Sequence, residues 1–503
     1  MKIDDILLNE QNKNYDIDFI NRIQYLLNNI PLETGGKYYT KYDYKVGFIC
    51  DPYLYNIYKD IATESVYINP KYWKTQLQSV DILIVGSVWF GIEKMWHRKD
   101  TVNYGIIDNV IQTANKQGKL TIFYSTEDPV SYDLFLEIAK KCEYIFTTCV
   151  EMIPNYVKDC GHNRVFDLQF CVNPYLSNPT KSFGLNKFQD VIFSGSYYSQ
   201  YPKRKKDTHL LFDAVLRSRF GLKIVDHNFN LNEPYLWRFP SKYWSYVSPA
   251  ISHELVQKLH KLYDFALNLN TITNSDTMYA VRVYELQAIG NIVFSNNSIG
   301  MSKNFSNINI VEDIDSISSI LDTIKFPEIA HAKKIGIRNI MTNNTCYERF
   351  GHLLKSLGMK PKSQDRRIAV VVSNKTDKLS RHFLEQSYDL KEFLSVDEFK
   401  VSYDNFDMVA FWDNEIDYNK FYLEDASNAF KFSESRYVYT DNTFINSYIK
   451  GEVNLEFPYE YIDSINSRFT TVFWRDDYDY EHLLNLFNSP NKFLKLPMGY
   501  KIF

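Results

Sequence analysis

The 503-residue chain lacks a hydrophobic run that could cross a bilayer, because no stretch approaches the roughly 18 apolar residues that a spanning helix needs. Its first residues, MKIDDILLNEQNKN, become acidic and polar too early for a secretory signal peptide. A strong excess of one sign of charge is lacking too, since 57 basic and 61 acidic residues give a net charge of −4. This balance excludes a general attraction to nucleic acid or acidic lipid. We therefore expect a cytoplasmic protein with at most peripheral membrane association.

Paired cysteines are also lacking. The six cysteines form no CxxC pair and have no histidine at the spacing of a zinc site. Four of them lie in or beside apolar runs, where reduced and buried thiols are common. The sequence therefore predicts neither a disulfide framework nor a structural zinc centre.

What the chain does contain is an alternation of short apolar runs and amphipathic stretches, which predicts strands separated by helices. The strands predicted in a first series are 45–50, 81–86, 120–124, 144–147 and 165–168. The strands predicted in a second series are 190–196, 222–226, 264–270, 291–295 and 308–313. Continuous apolar strands joined by helices indicate parallel sheets covered on both faces, with ligands at the carboxyl ends of the strands.

The boundaries follow from composition. The stretch 173–184, NPYLSNPTKSFG, has no periodicity and is interpreted as a linker. We predict a first Rossmann-like domain over residues 1–178 and a second over residues 179–330. Closing helices and a linker follow at 331–362, and a smaller α/β accessory domain at 363–503. The predicted fold class is thus α/β, with two Rossmann-like domains and a third, smaller C-terminal domain.

A phosphate site is predicted in the second series. FSGSYYSQYPKRKK follows a strand and opens a helix, so backbone N–H groups at Gly195 and Ser196 can approach an anion. Arg204 or Lys206 could clamp it. Asp226 and His227 come at the end of the next predicted strand, and we expect them at the same edge of the sheet.

RVYELQAIG supplies a second element of this site. Arg282 and Glu285 are three residues apart and share one face of the first helical turns. The carboxylate could accept ribose hydroxyls while the arginine meets phosphate. The alternative is a surface Arg–Glu pair, with Gly290 only ending the helix.

The first series offers candidates on the opposite side. STEDP follows a strand, and Glu127 or Asp128 could accept the proton of an attacking hydroxyl. The alternative is that Asp128 caps the next helix, with Pro129 in its first turn. Trp89, in the loop GSVWFGIEKMWHRK, could stack on an acceptor sugar, whereas His97 is expected to be a surface residue.

Five motifs in order resemble the CgeB spore-maturation family of bacterial glycosyltransferases, over about residues 40–360. They are FYSTEDP, DVIFSGSYYSQYPKR, LYDFALNLN, RVYELQAIG and TCYERF. The resemblance implies the GT-B fold, with an acceptor-side domain before a nucleotide-sugar domain, and transfer from a nucleotide-sugar donor without an obligatory metal. Retaining GT-B enzymes carry two glutamates eight positions apart; here Thr277 precedes Glu285 at that distance, which leaves retention or inversion open.

The third segment is similar to the metal-binding strand end of GT-A transferases. FDMVAFWDNEIDYNKFYLEDASNAF places Asp413, Glu415 and Asp417 after an apolar run. We expect a degenerate GT-A-like or acceptor-binding module. The alternative is a second active site with a divalent metal at Asp413 and Asp417.

The function predicted from these residues and this resemblance is glycosyl transfer. The expected donor is a UDP-sugar, and the expected acceptor is a cell-envelope or surface glycopolymer. Two alternatives remain open at this point: a sugar-nucleotide epimerase built on the same fold, and a non-catalytic scaffold that retains it.

Overall fold

The chain folds around three β-sheets, which a computed structural model describes for residues 14–184, 187–231, 237–450, 456–491 and 493–503. Two compact units emerge. The first comprises Lys41–Ser177, Lys187–Pro361 and the described part of Met1–Leu32. The second comprises Glu33–Thr40, Asn178–Asn186 and Lys362–Phe503, within the same described ranges.

The first sheet of the first unit is parallel throughout, in the order β2-β1-β3-β4-β5-β6. Its strands are β1 (Tyr42–Ile49), β2 (Ala62–Tyr67), β3 (Ile82–Gly86), β4 (Leu120–Ser125), β5 (Tyr144–Thr147) and β6 (Val165–Asp167). The helices of this part of the chain are α1 (Phe19–Asn28), α2 (Pro52–Tyr58), α3 (Trp73–Gln78), α4 (Thr101–Lys116), α5 (Tyr132–Ala139) and α6 (Ile153–Cys160). The central strand β3 is buried along its whole length, as its continuous apolar sequence predicts.

The second sheet is also parallel, in the order β12-β11-β10-β7-β8-β9. Its strands are β7 (Phe188–Gly195), β8 (Gly221–Asp226), β9 (Val247–Ser248), β10 (Tyr263–Asn268), β11 (Ile292–Ser295) and β12 (Asn309–Ile310). Its helices are α7 (Pro202–Leu216), α8 (His253–His260), α9 (Arg282–Ile289), α10 (Ile299–Asn304) and α11 (Ser316–Leu321). Two parallel sheets with crossover helices are two Rossmann-like domains, so this part of the fold-class prediction is confirmed.

Two closing helices complete the first unit. Helix α12 (Phe326–Asn343) packs against α9, and helix α13 (Cys346–Ser356) returns to the first sheet. There the backbone N–H of Cys346 donates to Val172 O at 2.8 Å, and the Tyr347 hydroxyl donates to Asp60 O at 2.9 Å.

The N-terminal segment belongs to the second Rossmann-like domain. The backbone N–H of Asp16 donates to Val247 O at 2.9 Å, and the Asp16 carboxylate pairs with the buried Lys223 at 2.7 Å. The Lys223 ammonium also lies 3.7 Å from the ring centroid of Phe19. The prediction that residues 1–178 form one first domain is therefore wrong for 14–28, because a buried lysine of the second sheet requires the carboxylate of Asp16.

The second unit is a mixed sheet in the order β14-β13-β15-β18-β16-β19-β17. Its strands are β13 (Ile368–Val372), β14 (Lys391–Ser395), β15 (Met408–Phe411), β16 (Tyr437–Thr440), β17 (Glu460–Ile465), β18 (Thr471–Trp474) and β19 (Leu494–Ile502). Its helices are α14 (Asp377–Glu385), α15 (Val396–Ser402), α16 (Tyr422–Ala429), α17 (Phe444–Ile449) and α18 (Tyr480–Asn488). Strand β18 runs antiparallel between β15 and β16. The predicted third, smaller α/β domain is confirmed.

Part of the predicted linker is an integral piece of this second unit. The hydroxyls of Thr180 and Tyr500 are 2.7 Å apart, and the ring of Phe183 meets that of Phe503 edge-on at 4.8 Å. The stretch 178–184 lacks periodicity because it packs by individual side chains, not because it is a free connection.

A buried charge cluster at the second sheet gives a first prediction. Asp264 Oδ1 lies 2.6 Å from Lys333 Nζ and 3.7 Å from Lys187 Nζ, and the Lys333 side chain is 1% exposed. Asp264→Asn should lower the free energy of unfolding by about 3–5 kcal/mol, because two buried ammonium groups lose their shared carboxylate. Urea unfolding measures this. Asp315→Asn, which breaks the exposed pair with Arg217, should cost less than about 1 kcal/mol; equal losses would contradict the prediction.

Candidate functional site

Loops at the carboxyl ends of the two parallel sheets hydrogen bond to each other. Thr277 Oγ1 donates to Thr148 O at 2.8 Å, and the Ser275 hydroxyl donates to Glu151 at 2.6 Å. Elsewhere, Asn56 Nδ2 of α2 donates to Glu254 Oε1 of α8 at 2.7 Å. The predicted site residues lie at the carboxyl ends of strands in these two sheets, just after those ends, or on helices that follow the strands.

Gly195 and Arg282 form the centre of the candidate site on the second sheet. Gly195 ends β7, and Arg282 begins α9 with its guanidinium 5.3 Å from the ring centroid of Phe193. A Cβ on Gly195 would lie 2.9 Å from Arg282 Nη2, so the absent side chain makes room for the guanidinium. Arg282 Nη1 is buried without a hydrogen-bond partner among the described residues.

The environment of Arg282 is unfavourable to its charge. Burial lowers the pKa of the guanidinium, and the nearby Glu285 only partly opposes this. A cation that is desolvated on one side and has an unused donor is prepared to bind an anion.

His227 lies beside Gly195 and Arg282. Its backbone N–H donates to Gly195 O at 3.2 Å, and its side chain is exposed. No ring hydrogen bond of His227 occurs within the part of the chain that the structure describes. Protein on several sides of the ring limits its hydration and lowers its pKa, and the charge of Arg282 lowers it further.

Glu285 is held by a histidine that the sequence analysis missed. Its Oε1 lies 2.6 Å from His253 Nε2, at the start of α8. Burial alone would raise the pKa of Glu285, but the charge of His253 and its hydrogen bond lower it overall. Burial likewise opposes the charge of His253, whose pKa is nevertheless raised by Glu285. These opposite shifts favour an ion pair between Glu285 and His253. The ribose role of Glu285 stays a prediction.

Arg204 donates hydrogen bonds to the loops after β7 and β10. Its Nη1 donates to Leu269 O at 3.1 Å and to Thr271 Oγ1 at 2.7 Å, and its Nη2 donates to the carbonyl of Ser196 at 3.4 Å. The guanidinium also lies 4.6 Å from the ring centroid of Tyr198, and burial lowers its pKa to about 10. This geometry makes Arg204 a residue that positions the loops after β7 and β10. Its Nε is buried without a partner among the described residues, and the phosphate-clamp role stays a prediction.

Asp226 is separated from the Arg282 cluster by the alternation of side chains along a strand. It is 4% exposed, and its Oδ1 accepts the backbone N–H of Asn228 at 2.9 Å. Burial raises its pKa to about 7, partly offset by Arg238, and its other charge neighbour is Tyr15. Asp226 and His227 both lie at the carboxyl end of β8, as expected, and the charge of Arg282 acts on His227. A donor-binding role for Asp226 stays a prediction.

The first sheet contributes Glu127 and a second carboxylate that the sequence analysis missed. Glu127 follows β4 and is half-buried; burial and the charge of Asp51 raise its pKa to about 7, against a hydrogen bond from Trp89. Asp51 follows β1 and accepts the backbone N–H groups of Trp89, Phe90 and Gly91 at 2.8–2.9 Å. The loop thus supplies hydrogen bonds to the Asp51 carboxylate, whereas the pKa of the Glu127 carboxyl lies near pH 7.

Asp128 is a structural residue. It is 1% exposed and accepts hydrogen bonds from Thr147 at 2.6 Å and Tyr156 at 3.1 Å. The predicted cap role is wrong, because α5 has Ser131 at its N-cap position and Pro129 lies before the helix. Asp128 is thus buried and hydrogen bonded whereas Glu127 is half-buried, and a proton-transfer role for either carboxylate stays a prediction.

Trp89 lies in the loop after β3, on the first-sheet side of the candidate site. Its half-buried ring meets Phe135 edge-on at 5.5 Å, and the guanidinium of Arg98 lies 5.9 Å from its centroid. His97 stacks on Phe90 at 5.0 Å. Stacking of an acceptor sugar on Trp89 stays a prediction.

The acidic turn of the second unit does not fit a divalent metal centre. Asp413 Oδ1 accepts the backbone N–H of Glu415 at 2.9 Å, whereas the exposed Asp417 pairs with Lys378 at 2.8 Å. Across the described ranges, no three His, Cys, Asp or Glu side chains converge as metal ligands. A helix long and apolar enough to cross a bilayer is likewise not found in those ranges.

Neither the known protein families nor the curated protein sequences give a match to the chain. Among solved structures, AviGT4, a glycosyltransferase involved in avilamycin A biosynthesis, is 11% identical with a TM-score of 0.38, over 62% of this chain and 96% of that one. The apo lipopolysaccharide outer core galactosyltransferase WaaB is 12% identical with a TM-score of 0.33, over 62% and 99%. The N-terminal domain of Candida albicans trehalose-6-phosphate phosphatase is 9% identical with a TM-score of 0.37, over 57% and 73%. Scores this low leave the function to be argued from the site.

Proposed function

We propose that the protein is a glycosyltransferase that moves a sugar from a nucleoside-diphosphate donor, a UDP-sugar, to a cell-envelope or surface glycopolymer. The observation that supports this most directly is Arg282, whose Nη1 is buried without a partner beside Gly195. A desolvated cation with an unused donor is costly unless an anion binds it, and a diphosphate has the matching charge and geometry. The motif resemblance to the CgeB glycosyltransferases supports the same assignment.

In the proposed reaction, the diphosphate lies against Gly195 and Arg282, and Glu285, fixed by His253, accepts the ribose hydroxyls. Glu127 takes the proton from the acceptor hydroxyl as the oxygen of that hydroxyl bonds to the anomeric carbon. The bond from that carbon to the donor phosphate oxygen breaks, and the electron pair leaves with the diphosphate. Arg282 stabilises the charge that develops on the leaving group.

A panel of nucleotide sugars tests the proposal. UDP-, GDP-, ADP- and dTDP-sugars are added to the full chain, and the shift in melting temperature is measured, since binding to the folded state raises it. A UDP-sugar should give the largest shift and should be slowly hydrolysed to UDP. Interconversion of the sugar without release of UDP would indicate an epimerase, and no stabilisation by any donor would indicate a scaffold.

Gly195→Ala gives a second prediction. The added methyl would displace the Arg282 guanidinium, because the Cβ would lie 2.9 Å from Nη2. Affinity for UDP should fall about tenfold, equivalent to about 1.4 kcal/mol, which is within the usual cost of overpacking. Calorimetric titration measures the change. Gly105→Ala in α4, where a Cβ meets nothing within 4 Å, is the control; equal affinities for both variants would contradict the proposed contact.

A further inference from the structure

A second group beside Gly195 has the features of a phosphate ligand. The Gly195 carbonyl accepts the His227 backbone N–H at 3.2 Å, and a Cβ on the same glycine would lie 2.9 Å from Arg282 Nη2. The His227 ring is exposed and makes no hydrogen bond to any described residue. Arg282 Nη1 and the ring of His227 therefore both lie near Gly195 without a hydrogen-bond partner among the described residues. Gly195 is at the carboxyl end of a parallel strand, where anions bind.

We propose that His227 is the second cationic group of the donor-phosphate site and that it takes up a proton when a diphosphate binds. This inference rests on the proposed function and adds to it how the charge of the diphosphate is balanced. The neutral ring gains a proton from solvent, and the imidazolium then donates to a phosphate oxygen beside the fixed guanidinium.

The charges around His227 determine the direction of this linkage. Arg282 at the start of α9 and His253 at the start of α8 both disfavour a positive charge on the ring. Asp51, after β1 of the first sheet, favours it, but limited hydration and the two cationic neighbours outweigh it, so the pKa is lowered. The free protein therefore has a largely neutral ring at pH 7.

A bound diphosphate reverses this balance. Its negative charges lie against Arg282 and compensate the neighbour that most opposes protonation of His227. The pKa of the ring should then rise above that of the free protein, and one proton enters with the ligand. Affinity should fall as the pH rises between the two pKa values, by up to about tenfold for each pH unit.

Calorimetric titration of the full chain with UDP measures the proton directly. The titration is run at pH 7 in Pipes and in Tris, whose ionisation enthalpies differ, so the difference in observed heat gives the protons exchanged. Wild-type protein should take up more protons per site than His227→Gln does. His227→Gln, which retains a neutral donor, should lose this additional uptake and bind UDP with an affinity that depends less on pH.

Controls separate His227 from other sources of proton exchange. UDP has a phosphate that titrates near pH 6, and its contribution is the same in wild type and His227→Gln, so the difference between them belongs to the ring. His331→Gln, an exposed histidine of α12, should behave as wild type. Inorganic pyrophosphate should give the same difference in uptake between wild type and His227→Gln as UDP does, and uridine should give none.

The outcomes distinguish this inference from the function on which it rests. No binding of UDP or of any other nucleoside diphosphate to wild-type protein would overturn the proposed function and the inference together. UDP binding with equal proton uptake in wild type and His227→Gln would overturn the inference alone. Uptake with uridine but not with pyrophosphate would place His227 at the nucleoside and also overturn it.

Discussion

Arg282→Met should weaken the binding of UDP about 100-fold or more, without lowering the melting temperature of the free protein. The loss is large because each hydrogen bond from a charged donor contributes about 1.5–3 kcal/mol, and the guanidinium can make two to a diphosphate. Stability should not fall, because Arg282 Nη1 has no hydrogen-bond partner to lose and the packing against Phe193 suits an apolar side chain. Titration calorimetry and thermal unfolding measure the two quantities.

The matched control is Arg219, which also lies over a phenylalanine ring, Phe220, at 5.5 Å but is exposed. Arg219→Met should leave UDP affinity unchanged. Retention of UDP affinity in Arg282→Met would remove the central contact of the proposed site. A large fall in melting temperature would instead mean that Arg282 is a structural cation.

Glu127→Gln should lower the rate of UDP release from the donor by about 100- to 10,000-fold, the range typical of a lost general base. Affinity for UDP should remain, because Glu127 lies on the first sheet and the diphosphate contacts proposed above lie on the second. In wild type the rate should rise with pH and reach half its maximum near pH 7, where the Glu127 carboxyl ionises. The variant should lack this rise. Glu137→Gln, an exposed partner of Lys140 on α5, should match wild type.

The raised pKa of Glu127 also predicts a change in stability with a definite sign. The folded protein holds the proton more tightly than the unfolded chain, whose glutamates ionise near pH 4.5. The stability associated with this proton is present below that pH and is lost as the pH rises through about 7. Glu127→Gln should therefore melt higher than wild type at pH 8 and show no such gain at pH 4.5. An equal difference at both values would show that Asp51 and burial do not oppose the ionisation of Glu127.

Much of the core of the fold could be predicted because buried parallel strands have continuous apolar sequences. The predicted strand 144–147 coincides with β5, and 120–124 and 81–86 differ from β4 and β3 by one residue. Two of the edge strands, β2 and β9, gave no such pattern. In β2, ATESVY, polar residues at Thr63 and Glu64 are exposed, and β9 is only two residues long. The strands after β15 were missed because a mixed sheet lacks the regular alternation of strand and helix.

Candidate site residues next to a strand end or a helix start could be predicted from the sequence, whereas residues that depend on distant partners could not. Gly195 ends a strand, Glu127 follows one and Arg282 begins a helix, so these candidates could be chosen from position along the chain. Asp51 and His253 act through partners distant in sequence, in the loop at 89–91 and at Glu285, and no local pattern reports such contacts. Asp51 did carry a usable signal, since it ends an apolar run and precedes a proline.

The path of the chain has a consequence for protein engineering. Residues 14–28 cover the second sheet, the chain then builds the first sheet and the second in turn, and α13 returns to the first. A chimera joined at a single junction near residue 178 would separate Lys223 from Asp16 and leave α13 on a foreign surface. An exchange of the second Rossmann-like domain would have to transplant the N-terminal segment together with 187–343 and retain α13 from the recipient.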